Sequence, residues 1–121
     1  MHKKFKDSIC FPAGDLTHLR ELLHPANDGI QTSFSLAHAY LEAGEKSLPH
    51  RLFKSSETYF ILEGSGMMLM DGKEFVLEPN DTFFVPPNAL QSVENTGQTR
   101  LSFLCIVSPP WSPEDEVVYL S

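Results

Sequence analysis

Cysteine is scarce in this chain: Cys10 and Cys105 are the only two among 121 residues. Two thiols make no disulfide framework, and they read as free thiols in a reducing compartment. Cys105 lies in the apolar run LSFLCIV with no cationic neighbour in sequence, so burial explains it better than reactivity. Basic residues are also few, 9 against 16 acidic ones for a net charge of −7. That balance argues against nucleic acid or an anionic membrane as partner, because phosphate binding needs clustered Lys and Arg. The one basic run, HKKFK at residues 2–6, reads as a frayed terminus. No apolar run approaches the roughly 20 residues of a membrane helix. Asp7, Pro12, Gly14 and Asp15 interrupt any signal-peptide core, which leaves the cytoplasm as the expected location. Histidine is absent after residue 50, so any second imidazole in a site must come from His2, His18, His24 or His38.

What is present reads as one all-β domain over residues 1–121, with a barrel core at about 32–108 and a tail at 109–121. Hydrophobic residues at 41% and charged residues at 21% are those of an ordinary soluble domain of this length. A single short helix is expected at about 15–24: Asp15 can cap it, Leu16, Leu19, Leu22 and Leu23 recur at helical spacing, and Pro25 stops it. His18 and His24 are then solvated side chains of a helix face. After it come TSFSLAHAYL, HRLF, ETYFILE, MMLM, KEFVLE, TFFV, LQSVE and TRLSFLCIV, short segments parted by turn residues. Asp71-Gly72 is the dipeptide of a tight type I′ hairpin. About eight such strands at this spacing indicate a sandwich or closed barrel. The tail PPWSPEDEVVYL is expected to pack on the outside, anchored by Trp111.

Two stretches carry a more specific pattern. Gly44, His50, Glu57 and Gly64 fall at fixed intervals, and Pro86 and Asn95 bracket a second segment that contains Asn88 and Gln91. Together they resemble the two motifs of the cupins, and the likeness extends over about residues 33–108. The resemblance implies a double-stranded β-helix, the jelly-roll barrel. It further implies a divalent metal held by two histidines and a glutamate of the first motif and a histidine of the second. Here Leu52 stands at one histidine position and Gln91 at another, so the ligand set that carries over is His50, Glu57 and Gln91. Asn88 replaces a usual glycine, a change that a left-handed backbone tolerates. His38 supplies a replacement imidazole if its strand face is interior. The set is one histidine short of a facial triad, and Gln91 offers only a neutral amide oxygen; Fe, Mn, Zn or Ni remain the metals to consider.

Several functions fit these residues. One is an enzyme acting on a small polar molecule such as a sugar or sugar acid, as a metal-dependent isomerase, epimerase or oxygenase. Without metal, His50 paired with Glu57 can serve as a general acid or base, with Tyr59 as proton donor or as a core aromatic. A second is a metal-free binding or sensor module, whose lining draws on Phe53, Phe60, Met67, Met68, Met70, Phe83 and Phe84. A third is a non-catalytic interaction protein: TFFV and MMLM are apolar on both faces, which one barrel interior does not use up, and a homodimer follows.

Overall fold

Two residues close the hairpin at Asp71-Gly72: both have positive φ, 50° and 82°, and Met70 pairs with Lys73 across them. The computed structural model describes residues 1–120. In chain order the strands are β1 (Cys10–Pro12), β2 (His18–Leu23), β3 (Ser35–Leu41), β4 (His50–Leu52), β5 (Ser56–Glu63) and β6 (Gly66–Met70). They continue as β7 (Lys73–Leu77), β8 (Thr82–Val85), β9 (Gln91–Glu94), β10 (Leu101–Ser108) and β11 (Glu116–Val118). One antiparallel sheet runs β1-β2-β3-β10-β5-β8, and a second runs β11-β4-β9-β6-β7. The eight strands expected from β3 to β10 all form, and the architecture is the all-β jelly-roll barrel.

The core lies between the sheets, where alternate residues of each strand meet. Ala39 and Leu41 of β3, Tyr59 and Ile61 of β5, Met68 of β6, Val93 of β9 and Phe103 of β10 are all buried there. The motif residues have structural reasons. A Cβ on Gly64 would stand 2.4 Å from the Arg100 carbonyl oxygen, and its φ of +83° excludes most side chains besides. Buried Asn95 donates to the carbonyls of Leu41 and Thr99 and accepts from Gly97 N–H, tying β9 to β3. Asn88 adopts φ 72°, the left-handed turn its substitution for glycine requires.

The helix expected at 15–24 does not form; His18–Leu23 is strand β2, paired antiparallel with β3. The leucine spacing fits a helix, but pairing with β3 satisfies this backbone while alternation sorts its side chains. Leu19 and Glu21 face inward, whereas His18 stacks on Tyr40 at 4.6 Å and Arg20 lies 4.7 Å from the Phe5 ring on the outside. Among the described residues α-helix is one turn, α1 (Pro25–Asp28), where the His24 ring accepts from Ala26 N–H and Gly29 ends the turn at φ 65°; single 3-10 turns lie at Phe5–Asp7 and Pro113–Asp115. The tail also differs from expectation. It adds β11 to the edge of β4, and the Asp115 carboxylate accepts the Lys54 and Ser55 N–H groups. Trp111 remains 37% exposed and also contributes to the wall of a cavity.

Candidate active site

Alternation in β4 turns His50 and Leu52 inward and Arg51 outward, and the same rule in β5 turns Glu57, Tyr59 and Ile61 inward. His50 and Glu57 thus approach from opposite sheets. The His50 Nε2 atom lies 3.5 Å from a Glu57 carboxylate oxygen, with His50 2% and Glu57 9% exposed. On its other side, Nδ1 lies 3.3 Å from the Leu48 carbonyl oxygen and 3.7 Å from the Asp15 carboxylate. Burial disfavours the charged ring, but the Glu57, Asp15 and Glu116 carboxylates outweigh it and push the His50 pKa up to about 9. At neutral pH His50 is therefore an imidazolium facing Glu57.

The pair opens onto a cavity of about 140 Å³. Phe11, Leu19, Val107 and Trp111 give it apolar walls, and Asp15, Glu21, Ser35, Glu116 and Cys105 join His50 and Glu57 as its polar groups. Burial raises the Glu116 carboxyl above the ordinary range, partly countered by the charge on His50. The Cys105 thiol is pushed far up by burial and by Glu57, so it stays protonated, as its sequence context suggested.

From sequence, Gln91 and Tyr59 are expected to join this site, His38 is a replacement imidazole if its face is interior, and Leu52 marks a lost ligand position. Gln91 is the direct cross-strand partner of His50, yet its amide oxygen accepts the Tyr59 hydroxyl hydrogen bond, and neither residue lines the cavity. Tyr59 is a fully buried core aromatic beside Phe103, with burial raising its pKa well above the ordinary value. Leu52 is packed in the core. His38 lies on the outer sheet face against Phe5, at 4.9 Å between ring centres, and cannot supply an imidazole to the interior. The residues do not fit a cupin-type metal: two of its histidine positions hold leucine and glutamine, and the glutamine oxygen is engaged by Tyr59. Among the described residues no three His, Cys, Asp or Glu side chains come together as a metal would need.

Asp15, Glu116, Trp111 and Cys105 were not assigned to a site from sequence. Asp15 had been read as a helix cap; it sits in a tight turn, where its Oδ1 accepts from Thr17 N–H and the Thr17 hydroxyl and its Oδ2 faces His50. No local motif marks these positions, because the chain ends reach the barrel only through tertiary pairing.

Comparison with known proteins places the molecule. Residues 37–107 match the cupin domain. An uncharacterized protein of Methanocaldococcus jannaschii is 42% identical over 98 residues, which covers 80% of this chain and 77% of that protein. A predicted oxalate decarboxylase from Thermotoga maritima superposes with a TM-score of 0.80 at 22% identity, over 90% of this chain and 99% of the other. The nucleoside dehydratase Pac13 of Streptomyces superposes at 0.79 with 18% identity, over 100% of this chain and 93% of that one. At those identities the two structures share the fold. With its domain match, its motif residues and its two-sheet barrel, this chain belongs to the cupin family.

Proposed function

We propose that this protein is an enzyme that moves protons on a small polar molecule held in the cavity. Its buried His50–Glu57 pair, facing the cavity, is the observation that carries this reading. His50, charged at neutral pH, is suited to be the general acid, and Glu57 the base. Glu57 takes a proton from the substrate and His50 releases one to a leaving or rearranging oxygen, the requirement of an isomerisation or of an elimination of water. Apolar walls around the pair lower the local dielectric and strengthen both interactions.

The test is proton exchange in D2O, followed by mass spectrometry on compounds that stabilise the protein. Wild type should incorporate solvent deuterium or convert the compound, and Glu57→Gln and His50→Ala should each slow this by about a hundredfold or more. Undiminished rates in both variants would overturn the reading.

A homodimer belongs to the same proposal. On the outward face of the six-stranded sheet, Phe60, Leu62, Phe84, Leu104 and Ile106 share one side, and Phe84 is 57% exposed. Such a face is suited to a second copy. Light scattering should report a dimer for wild type and a monomer for Phe84→Asp; a monomeric wild type would refute it. Among the described residues no helix is long and apolar enough to cross a membrane, and the free thiols of Cys10 and Cys105 suit a cytoplasmic location.

A further inference from the structure

The cavity is unbalanced in charge. Asp15, Glu21, Glu57 and Glu116 contribute to its lining, while His50 is its only basic group among the described residues. Glu57 is matched by His50, and Glu21 accepts a hydrogen bond from Asn27. Asp15 also lies 3.7 Å from the His50 ring and Glu116 is hydrogen-bonded by Trp111, but one imidazolium among Glu57, Asp15 and Glu116 leaves the cavity net acidic. Acidic side chains alone do not mark a site, but Asp15 and Glu116 close a cavity whose innermost polar groups are a buried imidazole and a buried carboxylate.

Both are held in place from outside the matched domain, residues 37–107. Asp15 is fixed through Oδ1 by Thr17, and its Oδ2 is turned inward. The neighbouring Leu16 takes φ 76°, a left-handed conformation costly for leucine and retained within this turn. Glu116 is set by the β11–β4 pairing, which aligns it with Leu52, and one of its oxygens lies 3.9 Å from where a Cβ on Gly14 would stand. The two chain ends therefore meet at the cavity with their carboxylates.

We propose that the cavity takes a small organic cation, an amine on an apolar body, and that Asp15 and Glu116 select it over carboxylates and phosphates. The proposal rests on the reading of the cavity as the working site. An ammonium group gains two carboxylate partners while its body meets Phe11, Leu19, Val107 and Trp111. An organic anion of the same shape would meet Asp15 and Glu116 as like charges, and the one cationic group of the cavity, His50, is already engaged by Glu57.

Benzylamine, benzyl alcohol and benzoate share a ring and differ in charge, so calorimetric titration of the three separates shape from charge. Wild type should bind benzylamine at least about tenfold tighter than benzoate. Asp15→Asn and Glu116→Gln, each close to isosteric, should weaken benzylamine about tenfold and leave benzyl alcohol unchanged, which also certifies folding. The proposal is overturned if benzoate binds as tightly as benzylamine, if neither substitution alters the preference, or if none of the three binds. The His50 ring resonance, followed in the same titrations, separates this outcome from the catalytic reading. Benzylamine selection without a His50 shift retains the charge rule and removes the proton-transfer role. Benzoate selection with a His50 shift does the reverse.

Discussion

Replacing Glu57 with glutamine should strip the charge from His50. The wild-type ring is pulled toward its neutral form by burial and toward its charged form mainly by Glu57, with Asp15 and Glu116 adding to the latter. A unit charge 3.5 Å away is worth about 5 kcal/mol at an effective permittivity of about 20, or roughly three powers of ten in proton affinity. Glutamine keeps the shape and loses that charge, while burial persists. His50 should then titrate below neutral pH instead of near 9, and the difference is visible in stability as well. A folded-state pKa raised from the ordinary 6.5 to about 9 corresponds to about 3 kcal/mol. Because the folded value is the higher one, that stabilisation is complete below pH 6.5 and disappears as pH rises through about 9. Proton–carbon correlation spectra of the histidine rings give the pKa, with the His50 peak assigned by its loss in His50→Gln. Urea titrations between pH 6 and 10 give the stability, which should decline in wild type and stay nearly level in Glu57→Gln. A wild-type His50 titrating near 6.5, or one whose pKa is unmoved by the substitution, would refute the reasoning.

Three further outcomes follow from the geometry. Tyr59→Phe removes the donor to the buried Gln91 oxygen and should cost about 1–3 kcal/mol in urea denaturation, while proton-transfer activity stays within a few-fold of wild type. Large loss of activity with normal stability would return Tyr59 to the site. Gly64→Ala places a Cβ against the Arg100 backbone at φ +83° and should destabilise by ~3 kcal/mol or more. At Gly29, with φ 65° and open space, the same change should cost only about 1 kcal/mol, and equal costs would contradict this account of the motif glycine. Elemental analysis of purified protein should find well below one equivalent of Fe, Mn, Ni or Zn; a full equivalent that His50→Ala abolishes would contradict the reading of the donor set.

The barrel was legible because alternation and turn residues are local. Asp71-Gly72 specifies its own hairpin, and TSFSLAHAYL alternates with Ala37, Ala39 and Leu41 directed inward. The same locality misled at residues 15–24. Leu16, Leu19, Leu22 and Leu23 satisfy a helical period, and only the presence of β3 as a partner selects strand. For the site, the motif spacing located His50 and Glu57 on inward faces, which alternation alone also supports. It could not tell that Gln91 and Tyr59 would engage each other, since that depends on how two sheets pack. Asp15 and Glu116 were out of reach for a related reason. They stand 101 positions apart, and nothing short of the closed fold brings their carboxylates to one imidazole.

The central claim is that small molecules enter the barrel and reach the His50–Glu57 pair. Parallel thermal-shift screens of wild type and His50→Gln against small neutral and cationic compounds test it most directly. The account requires compounds that raise the melting temperature of wild type and lose that effect in His50→Gln. Compounds that stabilise both proteins equally would locate binding elsewhere and contradict it.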